Sequence, residues 1–122
     1  MKSNETSHHS HFWFYFDSDE MEIYDRDKEI NNLSLHIREI ITNHLDDHEF
    51  LGNRGRQKLL NALTKQRTPL TSIDLGAKEK EKLTQKRDEL EKNGVKYTYR
   101  DMIEELYIEY GIRPILQKLG KR

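Results

Sequence analysis

The chain contains no cysteine, which excludes disulfides and thiolate metal centres and fits an intracellular compartment. Long apolar runs are missing as well. Nothing approaches the roughly eighteen residues of a membrane span, and the aromatic run at 12–16 is far too short. The segment Met1-Lys2-Ser3-Asn4-Glu5-Thr6-Ser7 lacks the apolar stretch of a signal peptide. Apolar side chains are scarce overall: 34% of the 122 residues are hydrophobic and 35% are charged. The core must therefore be thin and most helical surface wet. Together these shortages predict one soluble, cytoplasmic domain, residues 11–122 behind a disordered tail at 1–10, that works through its surface.

Catalytic signatures are equally sparse. Gly52-Asn53-Arg54-Gly55-Arg56 has neither the spacing nor the Lys-Ser/Thr ending of a phosphate-binding loop, and no Ser/His/Asp set stands at a persuasive spacing. His44 and His48 lie four apart, a spacing that can bring two imidazoles to one metal. The stretch reads His-Leu-Asp-Asp-His, however, and lacks the Glu of a zinc-protease helix, so a solvated acidic helix end accounts for it better. His8, His9 and His11 sit in a tail that offers no preorganised site. The expectation is no enzyme, no metal and no cofactor.

What the chain does have is unevenly placed charge. The formal net charge is only −1, which weighs against nucleic-acid binding. Acids dominate Asp17 to Glu29 and form a second knot at Asp46 to Glu49, whereas 53–67 holds Arg54, Arg56, Lys58, Lys65 and Arg67 with no acid. The stretch 111–122 holds Arg113, Lys118, Lys121 and Arg122, again with no acid. Two such stretches can present a focused basic surface on a neutral protein. Ordinary solvated helix faces are the other reading of either stretch alone.

Along the chain, Phe12-Trp13-Phe14-Tyr15-Phe16 favours a strand, Asp17-Ser18-Asp19-Glu20 reads as a turn, and Met21-Glu22-Ile23-Tyr24 alternates, so a hairpin is expected. Its aromatics read first as core and, as an alternative, as a stacking platform for nucleic acid. Apolar residues at Ile30, Leu33, Ile37, Ile40, Ile41 and Leu45 predict a helix over 27–45, capped by Asp25 or Asp27. A second helix is expected over 53–66, stopped at Thr68-Pro69. Residues 70–75 read as extended, and a polar helix runs over 77–92, ended by Asn93-Gly94. Val95-Lys96-Tyr97 reads as a short strand. Thr98 with Asp101 resembles a capping box for a helix carrying Met102, Ile103 and Leu106. Gly111 is expected to turn the chain into a last helix with Pro114 in its first turn.

A faint internal repeat links these elements. Arg38-Glu39-Ile40-Ile41, then Gly52-Asn53-Arg54 and Gln57-Lys58-Leu59, returns as Arg100-Asp101-Met102-Ile103, Gly111-Ile112-Arg113 and Gln117-Lys118-Leu119. The copies need a gap to align, and chance likeness between two charged helices is the alternative to duplication. If the repeat is real, residues 12–67 and 68–122 each hold a helix-turn-helix, and the pseudo-twofold shape matches DNA half-sites. The expected fold class is α+β, mainly α: an internal dimer of two winged helix-turn-helix units around a small antiparallel sheet.

Recognition helices meet bases with their amino-terminal residues. Those would be Asn53, Arg54, Arg56 and Gln57 in one half and Arg113, Gln117 and Lys118 in the other. Arg forks onto guanine and Asn or Gln onto adenine. Lys58, Lys65, Arg67, Arg100, Lys121 and Arg122 are placed to contact phosphates, which give affinity without sequence information. In these residues and this layout the chain resembles the TraN-like double helix-turn-helix DNA-binding accessory proteins of Gram-positive conjugative plasmids. The resemblance implies a monomer with internal pseudo-symmetry that binds duplex DNA near an origin of transfer. It implies an accessory or transcription-regulating role beside the conjugation proteins of a type IV secretion system. The competing expectation is a mobile-element protein-interaction module or inhibitor that uses the acidic, aromatic hairpin and the charged 77–92 helix.

Overall fold

The computed structural model describes residues 13–30, 32–50, 66–69 and 75–121, with backbone only for 13–15 and 66–69. In chain order the elements are β1 (Trp13–Phe16), α1 (Ser18–Ile30), α2 (Leu33–His44), β2 (Gln66–Pro69), α3 (Ala77–Lys92), α4 (Tyr99–Tyr107), a π-helical segment (Ile108–Ile112) and α5 (Arg113–Lys118).

Helices carry this fold, and the expected α+β arrangement of winged units around a sheet is overturned. The expected hairpin is absent because Met21-Glu22-Ile23-Tyr24 lies inside α1. The residues read as its turn start that helix instead. The Asp17 backbone N–H donates to Glu20 Oε1 and the Glu20 N–H donates to Asp17 Oδ1, both at 2.9 Å. This reciprocal capping box satisfies two backbone donors that a helix start leaves open. The β pairing among the described residues is a four-residue antiparallel ribbon in which Trp13 faces Pro69 and Phe16 faces Gln66. Val95-Lys96-Tyr97 is not a strand either, since these residues connect α3 to α4 without sheet pairing.

The helix expected over 27–45 is two helices. Asn32 interrupts it in an extended conformation and its side chain accepts from the Leu35 N–H at 3.1 Å. That cap starts α2 afresh, because a side-chain acceptor at this position replaces a lost intrahelical partner. Asp25 and Asp27 cap nothing here and sit within α1. Ile30, counted into the apolar stripe, ends α1 with 71% of its surface exposed.

The expected helix-turn-helix of the second half is also overturned. Gly111 makes no turn: it lies in the π segment that joins α4 to α5, so 99–118 is one helical rod. The Arg113 N–H donates to the Ile108 carbonyl, five residues back, which is the bond that defines a π turn. Glycine is there for space. A Cβ at Gly111 would come within 3.0–3.2 Å of the Tyr107 ring and Ile40 Cδ1, so the missing side chain lets the rod pack on α2. The first half's second helix, 53–66, lies almost wholly outside the described residues, and Gln66 belongs to β2. The expected extended stretch 70–75 and the expected tail 1–10 lie outside them too, except Leu75.

Two helix ends follow the same physics. After α3, Gly94 takes φ +83° while Val95 N–H returns to the Leu90 carbonyl at 2.9 Å. After α5, Gly120 takes φ +73° while Lys121 N–H returns to the Leu116 carbonyl at 2.9 Å. Only glycine enters this left-handed region freely, and the returning bond closes the last carbonyls. Thr98 caps α4 by accepting the Asp101 N–H at 3.2 Å.

The core lies between α1, α2 and the rod. Phe16, Tyr24, Ile37, Ile41, Leu45, Leu83, Met102, Ile103, Leu106, Tyr107, Ile112 and Leu116 are buried in one cluster. Leu83 brings α3 onto it while the rest of α3 stays largely wet. At its centre the Tyr107 hydroxyl donates to Asp27 Oδ2 at 2.5 Å, with the Phe16 and Tyr24 rings against the Tyr107 ring.

Candidate functional site

The last helix separates polar from apolar by its own period. Ile112 and Leu116 are four apart and fully buried, which turns Arg113, Pro114, Gln117 and Lys118 outward, all exposed. Charge separates along the rod as well: Asp101, Glu104, Glu105 and Glu109 precede Gly111, and the residues described after it contain no acid. Cations at this carboxyl end also meet the negative pole of the helix dipole.

The Gly120 turn brings Lys121 back toward the start of α1, where its Nζ lies 3.2 Å from Asp19 Oδ1. Arg113 Nη1 lies 3.0 Å from Glu109 Oε1, one helical turn earlier. Both pairs are exposed, the side chains ranging from 36% to 50% accessible. The structure thus exposes Arg113, Gln117, Lys118 and Lys121 at one helix end, with Glu109 and Asp19 as the carboxylates beside its outer cations.

Arg100 does not join them. Arg100 is exposed in the first turn of α4, thirteen residues before Arg113, so the helical rise sets it roughly 20 Å away. Arg113 does not stand at a free helix start, since its N–H is bonded within the rod. The base-reading amino terminus assigned to this half is therefore absent. Asn53, Arg54, Arg56, Gln57, Lys58, Lys65 and Arg122 lie outside the described residues, as does the side chain of Arg67.

A second constellation went unread in the sequence. His48 Nε2 sits 2.5 Å from Glu105 Oε2, and its Nδ1 sits 3.0 Å from the Tyr110 hydroxyl. The Tyr97 hydroxyl donates to Glu105 Oε1 at 2.9 Å. His44 stacks flat on the Tyr110 ring with centroids 3.9 Å apart, and Phe50 packs edge-on to both His48 and Tyr97. Burial first, then the Glu109, Asp47 and Glu105 carboxylates, push the Tyr110 hydroxyl above its ordinary pKa. A neutral Tyr110 is thereby favoured, which suits a hydrogen-bonding partner and opposes a nucleophile.

The spacing of His44 and His48 singled out the right pair for the wrong work. The acids Asp46, Asp47 and Glu49 are exposed, as a solvated helix end requires, but the imidazoles between them are engaged and tie the end of α2 and the loop after it to the rod. The partners are about sixty residues away in sequence, so no local pattern announces them. Among the described residues no group of three or more His, Asp or Glu stands in a metal-holding arrangement. No helix among them is long and apolar enough to cross a membrane.

No protein family, curated protein or solved structure matches this chain.

Proposed function

We propose that this chain is a non-catalytic, cytoplasmic protein that binds duplex DNA, with the exposed face of Arg113, Gln117, Lys118 and Lys121 as one contact surface. The observation that carries the reading is that these four side chains stand exposed at the end of a helix anchored by buried Ile112 and Leu116, in a stretch of sequence without acids. Cations held on a scaffold meet phosphates without first losing much backbone freedom. The acid-free stretch 53–67, with Arg54, Arg56, Lys58, Lys65 and Arg67, supplies further phosphate and base contacts in this reading.

From the TraN-like resemblance this proposal keeps the DNA-binding, accessory role in conjugative transfer and sets aside the paired helix-turn-helix units. The rival protein-interaction reading loses part of its surface, because Phe16 and Tyr24 are wholly buried and the hairpin that was to display them is not formed. Replacing Lys118, which is exposed in the last turn of α5, by Glu should weaken duplex binding at least several-fold in fluorescence anisotropy. Undiminished binding by Lys118→Glu would remove this face from the DNA contact.

A further inference from the structure

The two ion pairs at the ends of the basic face suggest how it is occupied before DNA arrives. Arg113 holds Glu109 at 3.0 Å and Lys121 holds Asp19 at 3.2 Å, whereas Gln117 and Lys118 between them make no side-chain bond among the described residues. In chain order the paired cations bracket the two side chains without such a bond, and all four are exposed. Each carboxylate offers the same charge-assisted acceptor oxygens that a phosphate offers, in smaller number and with less charge.

We propose that Arg113 and Lys121 are seats for DNA phosphate oxygens, and that Glu109 and Asp19 occupy these seats in the free protein as carboxylate stand-ins. The inference rests on the duplex-binding reading above. It reassigns Arg113 from a base reader to a phosphate contact, because its guanidinium turns back along the rod toward Glu109 rather than projecting from a free helix start. Exposed pairs of this kind are weak and yield to a better partner. A phosphate carries more charge than a carboxylate, and the planar guanidinium fork matches it in two-point geometry. The displaced carboxylates remain close to the seats, so they also repel the incoming backbone. DNA affinity is thereby held below what the cations alone would give.

The test is anisotropy of a labelled duplex with the full chain at low and at near-physiological salt, comparing wild type, Glu109→Gln, Asp19→Asn and the double variant. The amide replacements keep shape, and all four side chains are exposed enough to leave the core untouched; circular dichroism verifies folding. Each single variant should tighten binding about 2- to 5-fold at low salt, and the double variant by roughly the product. Arg113→Ala and Lys121→Ala should weaken binding equally on all duplex sequences. Glu81→Gln, on the exposed side of α3, makes the same change in net charge away from the seats and should have little effect.

Salt-sensitive wild-type binding with no gain in Glu109→Gln or Asp19→Asn would overturn the inference while leaving the DNA reading intact. An equal gain from Glu81→Gln would also overturn it, since net charge would then explain the effect. Absence of binding in wild type and in every variant would remove the DNA reading and the inference together.

Discussion

At the scale of single residues, the most consequential contact is the buried hydrogen bond from Tyr107 to Asp27. Asp27 is 5% exposed, and a buried carboxylate is costly unless donors surround it. Tyr107→Phe removes one donor and should lower stability by about 1–3 kcal/mol near neutral pH in urea unfolding. Burial first, and Asp27 second, hold the Tyr107 hydroxyl far above its ordinary pKa of 10.0. Its neutral form is favoured in the folded state, so its contribution is complete below about pH 10 and is lost as the pH rises further and the unfolded tyrosine ionises. Wild type should therefore lose stability more steeply above pH 10 than Tyr107→Phe. Parallel profiles for the two proteins would contradict this role.

The Tyr107–Asp27 contact was invisible in the sequence for a physical reason. Asp27 reads as a surface acid in a run of acids, and only the folding of α1 against the rod brings it to a tyrosine eighty residues on. The His48–Glu105 clasp was hidden in the same way. By contrast, the outward cations of 111–121 were legible, because a run without acids is a property of the sequence itself. Their spatial company with Asp19 was not.

At the scale of elements, the junction between α4 and α5 tests whether the rod is continuous. Gly111 in an ordinary helix would gain roughly 1 kcal/mol on replacement by Ala. Here the added methyl meets the Tyr107 ring and Ile40, both buried, and Tyr107 is tied to Asp27 and cannot retreat. Overpacking of this kind costs about 1–3 kcal/mol, so Gly111→Ala should leave the protein less stable or no better, with a lowered melting temperature. A clear rise in melting temperature would mean that the close approach to α2 is wrong and that Gly111 serves some looser purpose.

Legibility at this scale followed the strength of local signals. The helix over 77–92 has both ends where the sequence put them, because Asn93-Gly94 is a strong stop and the start follows a glycine. The cap at Thr98 was equally plain. The stripe from Ile30 to Leu45 misled, since apolar spacing ran on across Asn32 while the chain itself broke there. Asp17-Ser18-Asp19-Glu20 misled in the opposite sense: four polar residues look like a turn, yet Asp followed by Glu three places on is also a helix start. Gly111 and Pro114 together imitate a turn and a new helix, but a glycine can equally serve close packing, and a proline whose amide hydrogen is not needed can follow a π turn.

At the scale of the whole molecule, a net charge of −1 is compatible with the proposed DNA binding if charge is segregated. Five acids are drawn into caps, the core and the clasp: Glu20, Asp27, Asp101 and Glu104 are buried and Glu105 is engaged by His48 and Tyr97, while the exposed acids lie mainly on α1, α3 and the loop after α2. Cations of the last helix stay outside. Apart from Glu109 and Asp19, which pair with Arg113 and Lys121, the formal sum averages away a local excess of cations at that helix end.

The most direct test of this account is the dependence of duplex affinity on salt for the wild-type chain. Arg113, Lys118 and Lys121 alone would give a slope of log K against log salt of about −2.7, and contacts from 53–67 would make it steeper. A slope at or beyond that value, reduced by about one unit in Lys118→Ala, is the predicted result. A slope near zero, or no measurable affinity at low salt, would contradict duplex binding and turn attention to a protein partner.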